Sequence, residues 1–179
     1  ATLLDIAAWY DAADPYSRPN IFSNRQRYFN TEDPGRLRFG VPLELDFQHD
    51  FETQALFNDS VQRLRALGGE VVSMDFTPFL EAAKLLYEGP WVSERALATR
   101  EVDRESMLPV IRQILAGAEG KTAADAFAAQ YRLAALKRQC DAQLLDLDFV
   151  LTPTCPRSYT REEIREQPLL NNSLLGTYT

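Results

Sequence analysis

What the chain has little of narrows the chemistry first. Its 179 residues hold one histidine, His49, and two cysteines, Cys140 and Cys155. A zinc site needs several such ligands at close spacing, so no zinc pattern can be assembled, and no metal or other cofactor is expected. One disulfide is arithmetically available, but the chain is long enough to stand without staples, and both cysteines are read as reduced thiols. No apolar run approaches the ~20 residues of a membrane span, and the N-terminal ATLLDIAAWY has no basic leader. The 19 basic residues are scattered in a chain of net charge −7, which builds no positive face for a phosphate backbone. Phosphate-cradling glycine loops are missing too: Gly68-Gly69 reads as a helix stop, and GAEG at 117–120 leads into a helix cap. The expectation is a cytoplasmic protein that binds neither nucleic acid nor membrane.

What is present is an ordinary globular composition, 45% hydrophobic and 25% charged, with α/β alternation. Residues 2–10 read as a short amphipathic helix, and 14–36, with three prolines, as a long irregular connection. RFGVPLEL (38–45) reads as a strand in which Pro42 confines the ladder to the first half or to an edge. A helix follows over 50–67 through Leu56, Phe57, Val61 and Leu64, then a second strand, EVVSMDF, parallel to the first. Thr77-Pro78 opens a helix to about Glu88, with Thr77 as its cap, and Gly89-Pro90 breaks it and starts another to about Arg100. After the charged loop EVDRES come a helix over 107–117 and a long one from a Thr122/Asp125 capping box to about Leu145. On the long helix Phe127, Tyr131, Ala134 and Leu145 share a face. DFVLTPT reads as a short buried strand, and the tail as irregular apart from a turn of helix at 161–166. Ala1 already lies inside a helical pattern and GTYT stops without a cap, so chain is expected to continue on either side.

Two constellations bear on chemistry. Cys155 follows a strand, where nucleophiles often sit, and His49 is the one imidazole that could activate it. TPTCP, however, has prolines on both sides and no following helix to depress the thiol pKa, and a solvated loop suits His49 better. The second constellation is FTPFLEAAKLLYEGPWVSER. On an unbroken helix, Tyr87 and Arg95 would point about 80° apart, whereas the Gly89-Pro90 corner can turn both into one concavity. A guanidinium fork with a phenol suits a small carboxylate, helped by the partial positive charge of a helix start. Spacing alone leaves the alternative open, with Arg95 paired to a surface acid and Tyr87 in the core.

The blocks DAADPYSRP, GVPLELDF, ALGGEVVSMDFTPFLEAAKLLYEGPWVSER, AADAFAAQYRLAALKRQCDA, DFVLTPTCP and LNNSLLGTYT, in this order, resemble the allophanate hydrolases of the amidase signature family. The resemblance covers nearly the whole chain, and TPFLEAAKLLYEGPWVSER is its most specific part. It implies an α/β fold, part of an amidase-signature fold with a mixed β-sheet core covered by helices. Residues 1–179 would be the C-terminal portion of a single amidase domain. It also implies hydrolysis of allophanate to ammonia and carbon dioxide by a Ser, cis-Ser, Lys triad, in a parent expected to be homodimeric. The triad and its serine-glycine cluster lie N-terminal to the matched segments, and Lys84, Lys121 and Lys137 are all on or near helices. These residues alone are therefore expected to be inactive and to carry no catalytic residue. The resemblance places the substrate's carboxylate on Tyr87 and Arg95. Gly176, Thr177 and Tyr178 resemble a segment entering a strand, and a plain structural strand is expected there. The alternative function is a non-catalytic binding module or subunit for small carboxylated ureas such as carboxybiuret.

Overall fold

The computed structural model describes Leu3, Ala7, Ala8, residues 10–19 and residues 37–178. The helix expected over 2–10 and the connection over 14–36 fall mostly outside these residues. The chain divides into two units, Ala1–Gly35 and Arg36–Thr179. In the first, Asp11–Ser17 is a closed turn of the kind its composition suggests. The Asp11 and Asp14 carboxylates accept from the Ala13 and Tyr16 amides at 2.9 Å each, and Ser17 Oγ accepts from the Asp11 amide at 2.9 Å.

The second unit is built on a three-stranded sheet in the order β2-β1-β3, with β1 at Arg38–Pro42, β2 at Glu70–Met74 and β3 at Phe149–Val150. Both pairings are parallel, with Phe39 opposite Val71 on one side and Phe149 on the other. The strand expected over 38–45 ends at Pro42, which is still in register with Met74. The Leu43 amide donates to Met74 O at 2.9 Å on the β2 side. By alternation, residue 42 faces the β3 side, where β3 has already ended, so the missing proline N–H costs no ladder bond.

Helix α1 (Phe51–Ala66) packs on one face of the sheet, and the core is Phe39, Phe47, Phe57 and Val61, edged by Val41, Leu45, Leu64, Val71 and Leu151. Phe39 is fully buried and stacks on Phe149 with centroids 5.5 Å apart. Burying each such side chain contributes about 1.5–3 kcal/mol. On β1 a side chain at Gly40 would meet Met74 Sδ at 2.6 Å and Leu147 Cδ1 at 2.7 Å, so a larger residue there would require these two side chains to move.

Helix α2 (Thr77–Lys84) is shorter than the sequence suggests, and its cap differs. Thr77 is inside the helix, and the Asp75 carboxylate accepts its amide at 2.9 Å. Beyond Lys84 the backbone tightens into turns, with the Leu85, Leu86 and Tyr87 amides bonded three residues back, to Ala82, Ala83 and Lys84. Helix α3 (Trp91–Ala98) follows from Pro90. The expected charged loop contains a 3-10 turn at Arg104–Ser106, and α4 (Pro109–Ala116) begins at its proline.

Helix α5 (Ala123–Leu144) opens on the expected Thr122/Asp125 capping box. Its buried residues, however, are Ala129, Leu136 and Cys140, whereas Phe127, Tyr131 and Leu145 are exposed. The 161–166 turn is α6 (Arg161–Glu166), capped by Thr160 and Glu163. The tail is more ordered than expected. Pro168–Leu175 forms α7, with proline in its first turn, and Gly176–Tyr178 is a turn rather than a strand. Tyr178 is buried, and its hydroxyl accepts from the Asp46 amide at 2.7 Å.

Candidate functional site

The corner between α2 and α3 is built by backbone chemistry. The Gly89 amide donates to Leu85 O at 3.1 Å, and Pro90 serves as the N-cap of α3. A Cβ on Gly89 would lie 2.4 Å from that same Leu85 oxygen, so the turn closes only around glycine.

Around this corner Tyr87 and Arg95 meet. The Arg95 guanidinium carbon lies 4.8 Å from the centroid of the Tyr87 ring. Tyr87 is 57% exposed, which removes the alternative that it belongs to the core. Arg95 is exposed as well, and among the described residues it enters none of the ion pairs, which removes its surface-acid alternative there. The cation–π contact acts through the ring face, contributes about 0.5–1 kcal/mol at an exposed site, and consumes none of the guanidinium N–H donors. The arrangement is a fork of donors held against a phenol and open to solvent. On the same helix Ser93 has a buried hydroxyl without a hydrogen-bond partner among the described residues.

Three ties bind this element to α5 and its approach. Gln143 Nε2 donates to Asp75 O at 2.8 Å before α2 begins, and Arg132 pairs with Glu81 along it. At the corner, Lys121 Nζ donates to Glu88 O at 2.8 Å. The residues run in opposite directions on the two sides, so α2 and α5 are antiparallel and bolted at both ends. Neither Gly89 as a steric requirement nor Lys121 as a corner ligand was apparent in the sequence. Glycine before proline reads as a generic helix break, and no periodicity connects residues 33 apart.

The loops after β1 and β3 form a second, open cleft of about 520 Å³, lined by residues 48–52 with Arg157 and Ser158. His49 is there, in the left-handed region at φ 65° beside Gln48 at φ 51°. The Tyr159 hydroxyl donates to Gln48 Oε1 at 2.5 Å and Arg157 pairs with Glu163 at 2.7 Å, so the arginine is already engaged. Asp50, the cap of α1, has its carboxyl held below the usual range by hydrogen bonds from the Thr53 amide and hydroxyl. Cys155 does not line this cleft, and no hydrogen bond joins it to His49 among the described residues. Both cysteines are free thiols. Among the described residues no cluster of three or more His, Cys, Asp or Glu side chains is placed to hold a metal, and no helix is long and apolar enough to cross a membrane.

Comparison with known proteins places the whole chain. Residues 1–178 match the Amidase family. Urea amidolyases of Lachancea kluyveri and Saccharomyces cerevisiae are 33% and 32% identical over 171 residues, covering 93% of this chain and 9% of theirs. Among solved structures, the allophanate hydrolase of Kluyveromyces lactis superposes with a TM-score of 0.77 at 35% identity, over 80% of this chain and 24% of that one. The urea amidolyase of the same yeast gives the same score and identity over 9% of its length. The chain thus spans about a quarter of the allophanate hydrolase chain and under a tenth of the urea amidolyases. With a family match along nearly its full length and a superposable fold, the chain belongs to the amidase family.

Proposed function

We propose that these residues are the substrate-recognition segment of an allophanate-hydrolase-type amidase, in which Tyr87 and Arg95 clamp the carboxylate of allophanate. The observation that carries this reading is the guanidinium of Arg95 seated 4.8 Å over Tyr87 across the Gly89-Pro90 corner, with both residues exposed. Allophanate is a small anion, and urea is neutral. A guanidinium already oriented by an aromatic face loses little further freedom on receiving two carboxylate oxygens, and an uncharged amide leaves it unpaired. Specificity for the carboxylated substrate follows from that difference.

Bond cleavage belongs to the Ser, cis-Ser, Lys triad of the parent enzyme: the serine attacks the carbonyl and ammonia leaves, water frees the acyl group as a carboxylated carbamate, and this decomposes to carbon dioxide and the second ammonia. The segment reading, as the C-terminal portion of one amidase domain, is supported by the apolar surface on α5, where Phe127 is 56% and Tyr131 72% exposed. Such residues suit a helix that further chain covers. The reading carries with it a cytoplasmic, homodimeric parent.

The test is Arg95→Ala in the complete enzyme, assayed by ammonia release from allophanate. Losing a charge-assisted contact of roughly 2–3 kcal/mol lowers kcat/KM by about 30- to 150-fold, with the loss mainly in KM. An unchanged specificity constant in a folded Arg95→Ala enzyme refutes the clamp.

A further inference from the structure

The contact from Lys121 to the corner has a role beyond holding two helices together. Glu88 O belongs to the peptide between Glu88 and Gly89, next to Tyr87 and one residue from the Pro90 that starts α3. Carbonyls at a helix end have no partner within the helix, and Pro90 brings no N–H to this one. Among the described residues its donor is the Lys121 ammonium, at 2.8 Å. An unheld carbonyl at such a corner turns toward water, and rotation of its peptide plane carries Tyr87 on one side and α3 with Arg95 on the other.

Lys121 is itself held for this. Its amide donates to Ala118 O at 3.3 Å, Gly120 before it takes a left-handed φ of 76°, and Thr122 after it is locked by the capping box of α5. The short GAEG run thus ends α4, reverses the chain through Gly120 and delivers a lysine whose backbone is fixed on both sides. The other two ties, at Glu81 and Asp75, bind the body and start of α2. Of the three ties, that of Lys121 is the one at the corner.

Resting on the reading of Tyr87 and Arg95 as a carboxylate clamp, we propose that Lys121 is the positioning residue of that clamp, holding the Glu88 carbonyl so that Arg95 stays seated over Tyr87. It does not touch the substrate. Its effect falls on the affinity for the carboxylated substrate, and the chemistry at the triad is untouched.

The experiment compares Lys121→Met, Lys121→Arg and Arg95→Ala in the complete enzyme by ammonia release from allophanate, with thermal unfolding alongside. Lys121→Met is expected to raise KM about five- to tenfold, the value of one lost charge-assisted donor at an exposed site, with kcat within about twofold. Lys121→Arg, which keeps a cationic donor within reach of the carbonyl, is expected to recover most of the loss. If Arg95→Ala raises KM and Lys121→Met does not, the positioning role is overturned and the clamp stands. An Arg95→Ala enzyme with unchanged KM overturns the clamp and Lys121's role with it. A Lys121→Met enzyme that melts well below the parent and loses kcat along with KM, or one that Lys121→Arg fails to rescue, marks a general structural contact and also overturns the proposal.

Discussion

Replacing Gly89 by alanine tests the corner directly. The added Cβ would sit 2.4 Å from Leu85 O, which is 0.6 Å inside the 3.0 Å that real Cβ atoms essentially never breach, and Leu85 C and Cα would lie at 3.1 and 3.2 Å. All three contacts are backbone, so no rotamer change relieves them. Either Leu85 or Gly89 must move, and the 3.1 Å hydrogen bond that joins them is lost. Overpacking of this kind costs about 1–3 kcal/mol. For a chain of this size that lowers Tm by roughly 2–12 °C. Gly176→Ala is the control, because its nearest neighbour is Ser173 O at 3.8 Å, an ordinary contact, and its φ of −87° suits any residue. Such a substitution is neutral or stabilising by up to about 1 kcal/mol, through the unfolded state. The two variants should therefore move Tm in opposite directions or by clearly different amounts. Thermal unfolding followed by far-UV circular dichroism, with fluorescence of the adjacent Trp91 as a local probe, reads both. If Gly89→Ala is as stable as Gly176→Ala and leaves the Trp91 emission unchanged, the corner does not depend on glycine and the geometry assigned to Tyr87 and Arg95 is wrong.

Acid sensitivity should trace to four carboxylates that accept from threonines near helix starts. Asp50, Asp75, Asp125 and Glu163 are all held below their ordinary values by hydrogen bonds from threonine amides and hydroxyls. A carboxyl whose folded pKa is depressed contributes stability above the unfolded value and loses it as pH falls through the folded one. Thermal melts should therefore drop as pH falls below about 4, and Asp125→Asn should flatten that slope; an unchanged slope refutes the capping account. The thiols should differ in reactivity as well. Burial, with Asp141 nearby, pushes the Cys140 thiol up, whereas Cys155 is partly accessible and its thiol is expected to titrate with a disulfide reagent first. Equal rates in the native protein would show that α5 does not shield Cys140.

Much of the fold was legible because it is written in local signals. Thr122 and Asp125 are three apart, as a capping box requires, and Gly68-Gly69 stops α1 where the apolar period ends. Pro42 is the last residue of β1, as its place in the sequence suggested, although its missing N–H costs no ladder bond. Other boundaries depended on competition between neighbours. Thr77 has the side chain of a cap but lies inside α2, whose N-cap is Phe76 without a side-chain bond, and the Asp75 carboxylate accepts the Thr77 amide. The tail looked irregular because Leu169, Leu170, Leu174 and Leu175 follow a proline in a short polar stretch, and α7 is too brief to establish a period. At the site, the corner allowed Tyr87 and Arg95 to meet but spacing alone left the alternative open, the resemblance supplied their role, and the features that hold the corner were not legible. Lys121 reaches it across 33 residues, through tertiary packing alone.

Helix α5 shows most clearly where periodicity stops informing. Phe127, Tyr131, Ala134 and Leu145 do share a face, and so do the buried Ala129, Leu136 and Cys140. The two residues apart of Phe127 and Ala129 put these stripes about 200° from one another, on opposite sides of the helix. A helix apolar on one side has a single orientation open to it; one apolar on both satisfies its pattern whichever side is covered. The ties at Arg132 and Gln143 turn the neighbouring side of the helix toward α2, and the buried Ala129, Leu136 and Cys140 lie next to those residues around the helix. The aromatic side is left outward among the described residues. A two-sided helix is the pattern of an element between two layers, so α5 would support the clamp on one side while its aromatic side meets the remainder of an amidase domain.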